Sequence, residues 1–237
     1  MSDPTRVMIV DDHRLFADAL ERLLADEEGV HVVGAVGSGE EALALAAAQP
    51  VPVTVALVDL DLPGMDGVET TRRLRESSAD TQVVIVTAAT ESEDVVRALE
   101  AGACGYVRKT QAPDLLVDTI RKAAVGDIVL PPGRLAPMLE ALRGASPAAT
   151  QVAKPDFGLT PRELEVLKCM SSGMSTREMA AALFVSENTV LGHVKNILWR
   201  LGVNSKLKAV SLALAYGSIA VPSPDEVESG CPEFLRP

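Results

Sequence analysis

The sequence predicts an α/β domain with a five-stranded parallel sheet, followed by a smaller all-helical domain. Short apolar runs alternate with segments of helical periodicity through the first 125 residues. A strand and a helix that alternate in this way five times are typical of a parallel sheet with helices on both faces, joined by right-handed crossovers. From Leu159 to Ala220 the pattern is helical throughout.

The predicted strands are short runs rich in β-branched residues. They cover residues 7–10, 30–36, 53–59, 83–88 and 105–109. The helices that follow them cover residues 14–25, 39–48, 67–76, 92–101 and 113–125. The third and fourth strands are almost continuously apolar, which predicts central strands buried on both faces.

Composition divides the chain into four segments. Residues 1–125 form the α/β domain, residues 126–156 are a proline-rich linker, residues 157–221 form the helical domain, and residues 222–237, with four prolines, are expected to be disordered. Within the linker, four apolar residues recur at helical spacing and predict a short helix: Leu135, Met138, Leu139 and Leu142.

Charge separates the two domains. The chain has a formal net charge of -11. Residues 1–125 carry 11 basic and 22 acidic residues, whereas residues 157–221 carry 7 basic and 4 acidic residues. Only the helical domain, with its net charge of +3, is suited to bind an anionic polymer such as DNA.

The sequence also argues against several classes of protein. It has no apolar stretch near the roughly 18 residues of a membrane helix and no recognisable secretion signal, so we expect a cytoplasmic protein that does not bind membranes. The three cysteines are odd in number and lack metal-type spacing. We therefore expect neither disulfides nor a zinc site.

Charged and hydroxyl side chains lie at the carboxyl ends of four of the predicted strands. Because the carboxyl ends of parallel strands meet at one edge of a sheet, these side chains should converge there. They are Asp11 and Asp12 at the end of the first strand, Asp59 at the end of the third with Asp61 just after it, Thr87 at the end of the fourth and Lys109 at the end of the fifth. Clustered carboxylates suit Mg²⁺, which bridges acids to phosphoryl groups, and an aspartate can accept a phosphoryl group.

A single aspartate at a strand end has a simpler explanation. It often caps the next helix or forms a turn, and that alternative applies to each of these acids taken alone. Turn chemistry does not account for acids, a threonine and a lysine at the matching ends of four strands. The combination favours a chemical site.

Four motifs of the first domain resemble the receiver domain of bacterial two-component response regulators: "VMIVDDH", "ALVDLDLPGMDG", "VVIVTAA" and "GACGYVRKT". The resemblance covers residues 5 to 125. It implies a flavodoxin-like doubly wound sheet with strand order 2-1-3-4-5. One departure is that Thr110 follows Lys109 where many receivers have a cis-proline, and the nearest proline is Pro113.

The receiver resemblance also implies residue roles. Asp59 would accept a phosphoryl group from a sensor histidine kinase, and Lys109 would contact that group. The resemblance implies that Mg²⁺ is bound directly by Asp12, Asp59 and the backbone carbonyl of Asp61, and through water by Asp11. Thr87 and Tyr106 would be the switch pair, with Thr87 drawn inward on phosphorylation and Tyr106 following it. Beyond its own phosphoryl transfer and dephosphorylation, such a domain is not an enzyme.

A different class of protein also places acids in this way. The Asp59-Leu60-Asp61 sequence resembles the nucleophile and acid of haloacid-dehalogenase-like phosphatases, which turn over continuously. Against this alternative, Pro63 stands where that family has Thr or Val, and the paired acids precede the nucleophile instead of following it.

The second domain contains helix-start and helix-stop signals at short intervals. Thr160 and Ser175 each begin an S/T-x-x-E capping box, Ser186 is a predicted N-cap, and Gly173 and Gly202 end helices. The third helix would expose a polar face: Asn188, Thr189, His193, Lys195, Asn196 and Arg200. This pattern fits a helix-turn-helix, although a plain four-helix bundle with a solvated polar face would look similar.

The motifs "LTPRE", "EMAAALFVSENTV", "HVKNIL" and "RLGV" resemble the LuxR-type helix-turn-helix of NarL/FixJ response regulators. The resemblance implies a transcription factor whose phosphorylation favours homodimers on promoter DNA, with RNA polymerase as a further partner. Its implied DNA contacts are Asn188, Thr189, His193, Lys195, Asn196, Lys206 and Lys208. Leu191 stands where the family often has lysine, which predicts weak binding by a monomer. A phosphorylation-independent DNA binder with a vestigial receiver is the remaining alternative, which the complete acidic site opposes.

Overall fold

The structure is a computed structural model that describes residues 3–88, 93–131, 133–145, 157–220, 222, 226 and 232–235. The chain forms two compact units, Met1–Val129 and Leu130–Pro237. Within the described residues, no helix has both the length and the apolar character needed to span a membrane.

The first unit is a parallel α/β sandwich with strand order β2-β1-β3-β4-β5, which confirms the predicted fold. The strands are β1 (Thr5–Val10), β2 (Val30–Val36), β3 (Val55–Asp59), β4 (Gln82–Thr87) and β5 (Gly105–Arg108). The helices are α1 (Arg14–Ala25), α2 (Gly39–Ala48), α3 (Gly67–Ser77), α4 (Glu93–Ala101) and α5 (Pro113–Ala124).

The core lies on both sides of the central strands. Every residue of β3 is buried, and so is every residue of β4 after Gln82, as their continuous apolar character predicts. β1 pairs with β3 from Val7 to Val10, so the ends of these two strands reach the same edge of the sheet. That edge carries Asp11 and Asp59.

The end of β3 and the start of α3 are in close contact. The side chain of Asp66 accepts a hydrogen bond from the backbone N–H of Glu69 at 2.7 Å and so caps α3. A Cβ atom added to Gly67 would lie 2.1 Å from the backbone oxygen of Asp59. Only glycine therefore allows α3 to begin this close to Asp59.

The outer edge of β5 is covered by the chain that follows α5. The N–H of Tyr106 donates to the carbonyl oxygen of Val129 at 2.9 Å, and the N–H of Val129 donates to the carbonyl oxygen of Cys104 at 3.0 Å. A Cβ on Gly105 would lie 1.6 Å from the Val129 oxygen. The bridge thus depends on the absence of a side chain at Gly105.

The described part of the second unit is helical. Its helices are α6 (Leu135–Ala145), α7 (Pro161–Ser171), α8 (Thr176–Ala182), α9 (Glu187–Leu201) and α10 (Lys206–Ala215). The predicted capping boxes at Thr160 and Ser175 are present, Ser186 caps α9, and Gly202 ends it in the left-handed conformation. These sequence signals therefore predicted where three helices begin.

The predicted linker supplies a helix to the second unit. The helix predicted from Leu135 to Leu142 is present as α6, which packs against α10 with Met138, Leu139 and Leu142 buried. Most of the predicted disordered tail, residues 222–237, lies outside the described residues. Of those described, Glu233–Leu235 form one short 3-10 helix.

Candidate functional site

Three carboxylates and one imidazole meet at the carboxyl edge of the sheet. Asp11, Asp12, His13 and Asp59 each offer a ligand atom, and these atoms lie within 4.8 Å of one another. Asp59 and Asp11 are buried at 2% and 4% exposure, whereas Asp12 is exposed. The predicted convergence of Asp11, Asp12 and Asp59 is therefore present in the structure.

Lys109 bridges the two buried acids. Its Nζ lies 2.7 Å from Oδ2 of Asp59 and 2.6 Å from Oδ2 of Asp11. The backbone N–H of Lys109 donates to the carbonyl of Thr87 at 2.9 Å, which extends the pairing of β4 and β5 and fixes the base of the side chain. The ammonium also lies 5.0 Å from the centre of the Phe16 ring, within cation–π range.

The acids and the lysine shift each other's protonation. Burial raises the pKa of the Asp59 carboxyl above its ordinary value, and the nearby Asp11 adds to this, while the hydrogen bond from Lys109 opposes it. Burial lowers the pKa of Lys109, but its hydrogen bonds to Asp11 and Asp59 outweigh burial, and the net pKa is raised. Lys109 therefore stays charged.

Asp61 and His13 complete the surroundings of the two buried acids. Asp61 is exposed, and its backbone N–H donates to the Asp59 carboxylate. His13 Nδ1 lies 2.7 Å from Oδ1 of Asp12, and its backbone N–H donates to Oδ1 of Asp11 at 2.9 Å. A cleft of about 600 Å³ opens beside Asp11 and Asp12 and leaves this side of the cluster accessible to water.

Sequence reasoning assigned no role to His13 or Phe16. The sequence did contain a signal for His13, which directly follows the acid pair. Phe16 is placed over Lys109 by the first turn of α1, and its sequence position alone does not indicate this contact.

Thr87 and Tyr106 lie on the neighbouring strands β4 and β5, and each is only 1% exposed. We expected Tyr106 to move inward when phosphorylation drew Thr87 in. In the structure both side chains are buried, and their movement on phosphorylation stays a prediction. Residues 89–92, which connect β4 to α4, lie outside the described residues.

In the second unit, α9 has a buried face and a polar exposed face. Asn188, Thr189, Lys195 and Asn196 are exposed, and His193 is half-buried. The opposite side packs into the core through Val190, Val194, Ile197 and Leu201. The side chains predicted to face a ligand from α9 therefore point away from the core.

Two basic residues of the second unit bond to other residues of the same unit. Lys206 is buried, and its Nζ donates to the hydroxyl of Thr176 at 2.9 Å. This placement argues against the predicted phosphate contact of Lys206. The same prediction for Lys208, which is half-buried, still stands. Arg200 donates to the carbonyl of Gly158 at 2.8 Å and lies 3.4 Å from Glu163, so it stabilises the start of α7.

Known proteins share both units. Residues 7–121 match the family model for the response regulator receiver domain, and residues 158–213 match that for bacterial regulatory proteins of the luxR family. The nitrate/nitrite response regulator NarL of Escherichia coli K12 is 34% identical over 207 residues, which are 87% of this chain and 94% of NarL. This chain belongs to the NarL/FixJ family of response regulators.

Other relatives agree with this assignment. The nitrate/nitrite response regulator NarP of Escherichia coli K12 is 36% identical over 211 residues, 89% of this chain and 95% of NarP. The crystal structure of a LuxR-family two-component response regulator from Aurantimonas sp. SI85-9A1 is 31% identical, covers 60% of this chain and 99% of its own, and has a TM-score of 0.52.

Family membership decides between the classes that the sequence left open. This response regulator is a phosphorylation-controlled transcription factor with a receiver and a LuxR-type DNA-binding domain. The family consists of transcription regulators and not of metabolic enzymes, which argues against the phosphatase alternative.

Proposed function

We propose that Asp59 accepts a phosphoryl group from a sensor histidine kinase and that its phosphorylation controls promoter binding by α8 and α9. The observation that carries the proposal is the position of Asp59. It is buried at the end of a central strand, and Lys109 joins it to a second acid, in a chain that also has a LuxR-type domain. A transcription factor that is controlled by phosphorylation needs one residue that can be phosphorylated. The surroundings of Asp59 favour phosphorylation of this acid.

The proposed transfer is a nucleophilic displacement at phosphorus. A carboxylate oxygen of Asp59 forms a bond to the phosphorus atom, while the bond from phosphorus to the kinase histidine nitrogen breaks and its electron pair stays on the nitrogen. Lys109 Nζ, now 2.7 Å from Asp59, donates to an oxygen of the transferred group and offsets its charge. The same residues support hydrolysis of the acyl phosphate by water, which returns Asp59 to its carboxylate.

The acidic cluster fits Mg²⁺. Its buried and exposed carboxylates supply the oxygen ligands that Mg²⁺ favours, within 4.8 Å of one another, and water can reach them through the cleft. Asp12, Asp59 and the backbone carbonyl of Asp61 would hold the ion directly, with Asp11 acting through water. When bound, Mg²⁺ supplies positive charge that offsets the charge of the phosphoryl oxygens.

Thr87 and Lys109 would transmit the change. A phosphoryl group adds about 1.5 to 2 negative charges at Asp59, and the hydroxyl of Thr87 and the ammonium of Lys109 are the donors that would turn toward it. Thr87 and Tyr106 remain the proposed switch pair: Thr87 would be drawn toward the phosphoryl group, and Tyr106, which is buried on the neighbouring strand, would follow it. A coupling of about 1 to 3 kcal/mol to DNA binding is typical of such switches.

The helical domain would bind promoter DNA as a homodimer. α9 would enter the major groove with Asn188, Thr189, His193, Lys195 and Asn196, and Lys208 would contact a phosphate at the start of α10. RNA polymerase is the partner through which a promoter-bound dimer would act. Because the proposed kinase and the promoter are both met in the cytoplasm, we place the protein there.

Full-length protein treated with acetyl phosphate and Mg²⁺ tests this function. A receiver is expected to take up about one phosphoryl group per chain and then stop, whereas a phosphatase would release phosphate continuously. Intact-mass spectrometry measures the incorporation, and a phosphate-release assay measures turnover. Failure to label the native protein, or release of many equivalents without accumulation of the labelled form, would contradict the proposal.

Leu191 provides a separate prediction about the DNA-binding step. Replacing Leu191 with lysine adds one cation to α9, so the slope of log affinity against log salt should become steeper by about one unit. Fluorescence anisotropy of a labelled duplex at several salt concentrations measures the slope. The uncharged variant Leu191→Gln is the control and should keep the wild-type slope, and an unchanged slope for Leu191→Lys would show that position 191 does not reach DNA.

A further inference from the structure

The exposed face of α9 has two features that the proposed polar contacts do not explain. Gly192 lies in the middle of the helix, and a Cβ added there would meet nothing within 4 Å among the described residues. Trp199 is 81% exposed and is the only tryptophan in the sequence. Packing within the domain therefore requires neither a glycine at position 192 nor an indole ring at position 199.

Gly192 and Trp199 lie on one line along the helix. They are seven residues apart, which is about two helical turns. The buried residues Val190, Val194 and Leu201 mark the core side of α9. At about 100° per residue, Gly192 and Trp199 both point almost directly away from that side. They are thus at the centre of the exposed face.

Both residues lower the stability or solubility of a free helix. Glycine inside a helix is less favourable than alanine, and a large exposed indole is unfavourable in water. Features that the folded domain does not use indicate a surface that is complete only when a partner binds. The partner is indicated by Lys195 and Asn196, which lie exposed between the two residues, and by the +3 charge of residues 157–221, both of which suit an anionic polymer.

We propose that Gly192 and Trp199 form a close-contact surface for duplex DNA, an inference that rests on the proposed binding of promoter DNA by α9. An α-helix with its side chains is about 10 to 12 Å wide, close to the width of about 12 Å of the major groove. A position without a side chain at the centre of the inserted face lets the helix backbone lie nearer to the base edges.

Trp199 would contact a different part of the DNA from the part that Gly192 faces. It lies about 10 Å along the helix from Gly192, near the point where a helix that is seated in the groove meets its edge. There the indole ring covers the sugar of the DNA backbone, and its Nε1–H donates to a phosphate oxygen. Gly192 is thus a positioning residue for base readout, and Trp199 is a backbone contact.

The fluorescence of Trp199 gives a direct test in the full-length wild-type protein. The probes are a duplex selected by this protein from a random-sequence library and an unrelated duplex of the same length. Because the chain has one tryptophan, any change in indole emission comes from α9. We expect both duplexes to change the emission as they bind, in proportion to the binding measured by anisotropy of labelled DNA. Binding without an emission change would overturn the inference and leave the proposed function intact, whereas absence of binding with and without acetyl phosphate would overturn both.

Gly192→Ala separates stability from affinity. We expect the variant to raise the midpoint of thermal unfolding of the helical domain by about 4 °C, because alanine is the better helix former. Its affinity for the selected duplex should nevertheless fall by about tenfold, because a methyl group now stands between the helix and the bases. An affinity that is unchanged or increased in this more stable variant would overturn the role of Gly192.

Trp199→Ala should weaken binding of both duplexes by about tenfold, because a backbone contact does not depend on sequence. The matched control is Val51→Ala, which truncates an exposed apolar side chain in the loop before β3 of the receiver and should leave both affinities unchanged. A loss confined to the selected duplex, or equal losses for Trp199→Ala and the control, would overturn the proposed backbone contact.

Discussion

Replacing Asp59 with asparagine is expected to abolish labelling of the full-length protein by acetyl phosphate. The side-chain amide is not a nucleophile toward phosphorus, although it keeps the size of the carboxylate and can still accept a hydrogen bond from Lys109. Asp11 lies as close to Lys109 as Asp59 does, so the experiment also asks which buried acid is modified. Intact-mass spectrometry after treatment with acetyl phosphate and Mg²⁺ measures the result.

Asp66→Asn is the matched control for this substitution. Asp66 is an exposed N-cap of α3, and asparagine caps helices as well as aspartate does, so the control makes the same chemical change without loss of structure. It should label like the wild type. Persistent labelling of Asp59→Asn would place the phosphoryl group on another acid. DNA binding that neither acetyl phosphate nor the Asp59→Asn substitution changes would favour a receiver that no longer controls the domain.

Gly67→Ala is expected to damage both the stability and the chemistry of the receiver. The added Cβ would lie 2.1 Å from the Asp59 oxygen and 2.7 Å from Leu60 Cα, and both are backbone atoms that cannot rotate away. Either α3 or the end of β3 must move, which we expect to cost about 3 kcal/mol in the free energy of unfolding. A displacement of Asp59 by about 1 Å should slow its phosphorylation by about a hundredfold.

Denaturant unfolding and the initial rate of labelling measure these two effects. Gly37→Ala is the control, because its Cβ would meet Asp12 Cα at 3.9 Å, an ordinary contact at the same edge of the sheet. It should change stability and labelling little. Wild-type stability and rate in Gly67→Ala would show that α3 is not held against Asp59, and equal losses in both variants would show a general sensitivity of this edge.

The sequence predicted the features that depend on chain order and local chemistry. The convergence of Asp11, Asp59 and Lys109 follows from the repeat of strands and helices, because parallel strands end at one edge, whereas the strand order was implied by the resemblance to receiver domains. The starts of α7, α8 and α9 follow from capping residues that act within one helical turn.

The features that the sequence did not predict depend on how segments that are distant in the chain pack together. Lys206 appears available for DNA in the sequence, but the fold buries it against Thr176, thirty positions earlier in the chain. Tyr106 is buried in the fold, and no local pattern indicates the rotation of its side chain. The bridge of Lys109 to two acids similarly requires knowledge of its side-chain conformation, since its position in the sequence shows only that it is nearby.

The pairing of Val129 with β5 links the receiver's last strand to the segment through which the chain leaves this unit. Because Val129 is bonded on both sides of Gly105, a displacement of β5 would also displace Val129, the last residue of the first unit. The chain therefore leaves the receiver as a bonded part of its sheet, and the first residues of the exit segment keep the position of β5.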